Sequence, residues 1–91
     1  MTCKKAQIIN DKLMIEKVEA ELLGDGCCFH KLEDRVFEII DLDSGFVVAT
    51  YKGNELVCKT LYKVDTKLKR ILPKFRKSEI YLEWLNTIKK Y

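Results

Sequence analysis

Two clusters of turn-forming residues, Leu42-Asp43-Ser44-Gly45 and Lys52-Gly53-Asn54, punctuate a stretch rich in β-branched and aromatic side chains. Connections this short can join only antiparallel neighbours, because a parallel pair needs a crossover of about a dozen residues or more. Residues 35–41 read as one strand, 46–51 as a second and 56–62 as a third. Alternation assigns Val36 or Phe37, Val47 or Val48, and Val57 to the core. Gly53 and Asn54 both tolerate positive φ, which suits a tight hairpin. Residues 27–32 add a leading strand, with Glu33-Asp34 as its turn.

Helical signals flank this meander. Asn10 or Asp11 can cap a helix running to Leu23, with Met14, Ile15, Val18 and Leu22 on one face and Gly24 as its C-cap. Val18, Ala20 and Leu22 alternate with Glu19 and Glu21, which is the competing strand reading. The abundance of Met, Glu, Lys, Ala and Leu favours helix. Beyond the strands, Asp65 or Thr66 caps a helix from Lys67 that Pro73 should end or kink. Ser78 caps another from Glu79 to Lys90, with Ile80, Tyr81, Trp84, Leu85 and Ile88 as its apolar stripe.

The expected fold is α+β and a single domain, residues 1–91. It is a small antiparallel three- to four-stranded meander with an N-terminal helix and C-terminal helices packed on one face. At 91 residues and 47% apolar composition the chain can build one core and no second. The helix–meander–helix order resembles that of a double-stranded-RNA-binding domain, in element order alone. In that family the binding helix begins where this chain turns basic. The resemblance transfers no residue.

Charge is segregated along the chain. Residues 1–43 hold ten acidic and six basic side chains, a formal charge of −4; residues 44–91 hold four and eleven, a charge of +7. From Lys59 to Lys77 eight Lys and Arg face only Asp65. Lys63, Lys67, Lys69, Arg70, Lys74, Arg76 and Lys77 are the candidate binding residues. On one helix Lys67, Arg70, Lys74 and Lys77 share a face, with Leu68, Ile71, Leu72 and Phe75 turned inward. Such a row can neutralise phosphates or meet an acidic protein surface; it can also be a solvated face. Tyr51, Tyr62 and Phe75 could stack on bases, although core packing suits each better.

The thiols offer weaker chemistry. Cys27, Cys28 and His30, joined by Cys58 or Cys3, would supply soft metal ligands. Structural zinc sites, however, space paired cysteines by two residues, and adjacent strand residues point to opposite faces. One of Cys27 and Cys28 should therefore be buried and the other exposed. Cys28 and His30 would share a side as a nucleophile and base, but no orienting group or oxyanion hole is recognisable. Asp41-Leu42-Asp43-Ser44-Gly45 opens like a calcium loop and then lacks the later ligands. There is no Gly-rich phosphate loop, Gly-x-Ser-x-Gly or His-Glu-x-x-His.

These readings point to a non-catalytic binding protein with no cofactor. Its partner would be nucleic acid or a nucleoprotein engaged through residues 59–77. The alternative is a protein-binding regulator or inhibitor of a nucleic-acid-processing enzyme, as in small mobile-element proteins. A third is a thiol or metal site at Cys27, Cys28 and His30. No apolar run approaches the roughly 18 residues of a membrane span, so the expected setting is cytoplasmic, with no membrane partner.

Overall fold

The computed structural model describes residues 1–89. Six strands come first: β1 (Thr2–Ile9), β2 (Lys12–Glu19), β3 (Glu21–Gly24), β4 (Cys27–Glu33), β5 (Val36–Asp41) and β6 (Val47–Lys52). Three helices follow: α1 (Glu55–Val64), α2 (Thr66–Arg76) and α3 (Glu79–Ile88). Strands β1 and β2 form a separate hairpin, and β3 to β6 form a four-stranded antiparallel sheet in chain order. The α+β class and the meander are as the turns imply, but its strands are β3 to β6, so neither the N-terminal helix nor the third strand over 56–62 forms. The element order is thus not helix–meander–helix.

Asn10 and Asp11 explain the first correction. Both take positive φ, 51° and 62°, and Ile9 pairs with Lys12 across them. Two left-handed residues in a two-residue loop match the right-handed twist of flanking strands, and Asn and Asp bear that conformation at low cost. The residues read as helix caps are a hairpin turn. Residues 12–19 then gain eight paired neighbours from β1, and the alternation of polar and apolar side chains outweighs helix propensity. Gly24, read as a C-cap, sits at a bulge against Cys27.

Asn54 explains the second correction. Its side chain accepts a 2.8 Å hydrogen bond from the Val57 amide and caps α1. Cys58 and Tyr62, four residues apart, are the buried positions of this helix, while Val57 lies exposed. Pro73 does not end α2, which runs through it to Arg76. The ring deprives the Lys69 carbonyl of a helical donor, one turn from the end of a helix held by buried Leu68 and Leu72. Ser78 caps α3 as expected, accepting from Tyr81 N. Tyr81 and Ile88 are buried, Trp84 and Leu85 half-buried, and Ile80 points outward. The expected continuation to Lys90 falls partly outside the described residues; Lys89 is the C-cap.

Both faces of the four-stranded sheet are covered. Cys27, Phe29, Phe37 and Ile39 pack with Cys58, Tyr62, Leu68 and Leu72 of the helices. Cys28 and Ile40 pack with Cys3 and Ala20 from the hairpin side. Adjacent Cys27 and Cys28 therefore point to opposite faces and are both fully buried. The expectation that one would be exposed assumed a sheet with one wet face. Gly45 seats the hairpin. It takes φ +79°, accepts a 2.8 Å hydrogen bond from Ala6 N, and a Cβ there would lie 3.0 Å from the Lys4 carbonyl oxygen.

The end of β5 is tied to the helices by one carboxylate. Asp41 is 1% exposed. Its Oδ1 accepts from Arg76 Nε at 2.9 Å, and its Oδ2 accepts from Ser44 Oγ and Tyr81 Oη, each at 2.6 Å. Trp84 Nε1 donates to the Ser44 carbonyl at 3.0 Å. The Asp41-to-Gly45 segment is thus the anchor of α2 and α3. Burial alone would raise the Asp41 carboxyl, but hydrogen bonds from Ser44, Tyr81 and Arg76 outweigh it and hold it below the usual carboxylate range.

Candidate partner-binding face

Helix α2 divides the basic segment into three groups. Lys67, Arg70 and Lys74 lie on its outer face, with Lys77 at its C-cap and Lys63 near the end of α1. All five are exposed, and none forms an ion pair among the described residues. Because the helix continues through Pro73, the spacing from Lys67 to Lys74 stays in phase on one face.

Lys69 and Lys59 are partly engaged. Lys69 Nζ donates to the Lys63 carbonyl at 2.8 Å and lies 5.5 Å from the Tyr62 ring centroid. Lys59 sits 2.6 Å from Glu21 and 3.4 Å from Glu55. Arg76 is half-buried and committed to the fold: it is bound to Asp41, and its Nη2 also donates to the Gly26 carbonyl at 3.3 Å. Of the seven sequence candidates, five remain as a row free of internal pairing.

The one carboxylate in this segment offsets only one end of the row, where its charge acts on Lys67 and on Lys69. Asp65 Oδ1 accepts from the Leu68 amide at 2.9 Å as the α2 cap, and Oδ2 accepts from Tyr51 Oη at 2.5 Å. Those two hydrogen bonds, Tyr51 first, hold its carboxyl below the ordinary range. The aromatic rings read as possible stacking platforms are occupied as well. Tyr51 is bound to Asp65, Tyr62 is buried with its hydroxyl on Asp25, and Phe75 packs edge-on against Phe46 and Tyr81.

Beside the row lies an apolar groove of about 300 Å³ between the start of β6 and α2. Phe46, Val48, Leu68, Ile71, Phe75 and Ile80 line it. Ile71, expected to face inward, is 46% exposed, and Ile80, expected in the buried stripe, is 76% exposed. Phe46 stacks on Trp84 at 4.6 Å between centroids, so the groove rests on a packed aromatic base. Strand β6 is also an edge of its sheet, as β3 is on the other side.

The thiol region is a packed interior. Cys28 lies beside Cys3, and burial pushes its thiol up to about 11. An activated cysteine has the opposite shift. His30 Nδ1 lies 3.0 Å from the Glu19 carbonyl, and Nε2 lies 3.9 Å from Glu38 Oε1. Among the described residues no three His, Cys, Asp or Glu side chains converge as a metal site. The sequence reading missed the buried ion pair nearby: Lys5 Nζ is 2.6 Å from Glu38 Oε1, with both side chains over nine-tenths buried. This contact lacks hydrogen-bond alignment and is electrostatic in character. Glu38 between Phe37 and Ile39 was its signal: a charge on a buried strand needs a partner.

An open cleft of about 820 Å³ is lined by Met1 and Glu19 of the hairpin, by residues of β3 to β5 and by Asn54 and Glu55 at the start of α1. Glu19, Glu21, Lys31, Asp34 and Arg35 give it mixed charge. Among the described residues no helix is long and apolar enough to cross a membrane. Neither protein-family models, characterised proteins nor solved structures give a match to this chain.

Proposed function

We propose that the protein is a non-catalytic binding domain that engages an anionic macromolecule through the outer face of α2. One observation carries this reading: Lys63, Lys67, Arg70, Lys74 and Lys77 are exposed together and form no ion pair among the described residues, while Asp65, the one carboxylate between Lys59 and Lys77, is also held by a cap and by Tyr51. Nucleic acid is the first partner to test. A fixed row of cations displaces condensed counterions from a phosphate backbone, and contact would be to phosphate because no base-reading motif accompanies the row.

A second reading has its own support. Phosphate gains nothing from exposed Ile71 and Ile80, whereas a protein partner does. A regulator or inhibitor that docks on another protein therefore remains beside the nucleic-acid reading. Affinity capture from source-cell lysate with and without nuclease separates them. Retention after nuclease favours a protein partner, and loss favours nucleic acid. No binding by purified protein to duplex or single-stranded DNA or RNA at low salt removes the first reading.

A further inference from the structure

We infer that the groove between β6, α2 and α3 is a docking site for a partner-protein segment carrying bulky apolar side chains beside carboxylates. This goes beyond the phosphate reading of the row, because the apolar residues carry it. The groove volume, about 300 Å³, is at the bottom of the range of small-ligand pockets, about 300–1,000 Å³, and suits inserted side chains better than a whole ligand. Its base is preformed by the contacts of Phe46 with Phe75 and Trp84, so little ordering remains to oppose binding.

Charge selects the occupant. Among the described residues no carboxylate lines the groove, although Glu79 and Glu83 of α3 lie one residue before and three after Ile80. Lys67 and Lys74 lie four residues before and three after Ile71, as its neighbours on the helix surface, and both are exposed. An apolar side chain entering over Ile71 therefore carries its flanking residues past two exposed ammonium groups that form no ion pair among the described residues. Carboxylates there gain in affinity and association rate, and cations are repelled. A second copy offering this same surface would bring its own uncompensated row of cations.

The experiment selects phage-displayed random peptides on the wild-type domain and measures the enriched peptides by fluorescence anisotropy. The variants are Ile80→Asp and Lys67→Glu/Lys74→Glu, each checked for folding by circular dichroism. These are exposed positions, so the fold should persist. Enriched peptides should place Asp or Glu beside Leu, Ile, Phe or Trp. Their affinity should fall about tenfold or more in each variant, a loss of about 1.4 kcal/mol. Peptides that bind Ile80→Asp unchanged, or enrichment without acidic residues, would overturn the proposal. Self-association of the wild type that Ile80→Asp abolishes would overturn it too, by making a second copy the occupant. Duplex DNA weakened equally by both variants would give the groove to nucleic acid and also overturn it. Peptide binding with no nucleic-acid binding supports the groove and removes only the phosphate reading.

Discussion

Lys74 and Arg76 are two residues apart on α2 and have opposite fates. Lys74 stands in solvent with its neighbours in the row, while Arg76 turns inward to a carboxylate that is 1% exposed. The difference is the partner, not the cation. Where a buried acid waits, a positive side chain becomes part of the fold, and removing it strands a charge. Where none does, it contributes little to stability and stays available to something outside the molecule.

The largest expected effect breaks the inner side. Arg76→Met should cost about 3–5 kcal/mol, because it leaves Asp41 buried without its cation. Chemical denaturation measures this. A loss below about 1 kcal/mol would mean that Ser44 and Tyr81 suffice for Asp41. Trp84→Ala comes next, at about 3 kcal/mol, because Trp84 is half-buried, stacks on Phe46 and donates to Ser44. An unchanged melting temperature would show that α3 is peripheral to the fold.

Acid sharpens the same comparison. Hydrogen bonds hold the Asp41 carboxyl below its unfolded value of about 3.9, so folding favours the ionised form. That stability is complete above about pH 5 and is lost as pH falls through the folded value. Asp65 is lowered too and acts in the same direction. The acid limb of a stability–pH curve should therefore flatten in Asp41→Asn, and an unaltered limb would assign acid sensitivity elsewhere. The smallest expected effect is on the outer side. Reversing Arg70, Lys74 and Lys77 to Glu should change stability by at most about 0.5 kcal/mol per site.

The antiparallel meander and the row were legible in the sequence, and the two misassigned elements share one cause. Asn and Asp serve equally as left-handed turn residues and as helix caps. The pattern makes Asn10-Asp11 a cap, and it is a turn; the pattern makes Gly53-Asn54 a turn, and it leads into a cap. The residues that follow decide. After Asn54 come Glu55 and the four-residue interval from Cys58 to Tyr62, a helical signature. After Asp11 the half-buried Leu13 and Ile15 alternate with exposed neighbours, a strand signature. Ser78 was readable because an acidic residue and an apolar stripe both follow it.

At the candidate face, spacing alone placed Lys67, Arg70, Lys74 and Lys77 together. The pairing of Arg76 with Asp41 spans 35 residues, as does no local pattern. Nothing near Ile71 or Ile80 marks them as exposed, because their helix-period positions match those of buried residues. Only the packing of α2 against α3 and β6 leaves them open.

The most direct test measures binding and stability on one pair of proteins, the wild type and Arg70→Glu/Lys74→Glu/Lys77→Glu. Fluorescence anisotropy against duplex DNA, single-stranded RNA and polyglutamate, over a range of salt, is paired with thermal unfolding. The wild type should bind at least one polyanion at low salt. On duplex, log affinity should fall linearly with log salt by about 0.9 per phosphate neutralised. The triple variant should melt with the wild type and bind none of the three. Wild-type protein that binds no polyanion, or a variant that binds as tightly as the wild type, would contradict the assignment of this face to an anionic partner.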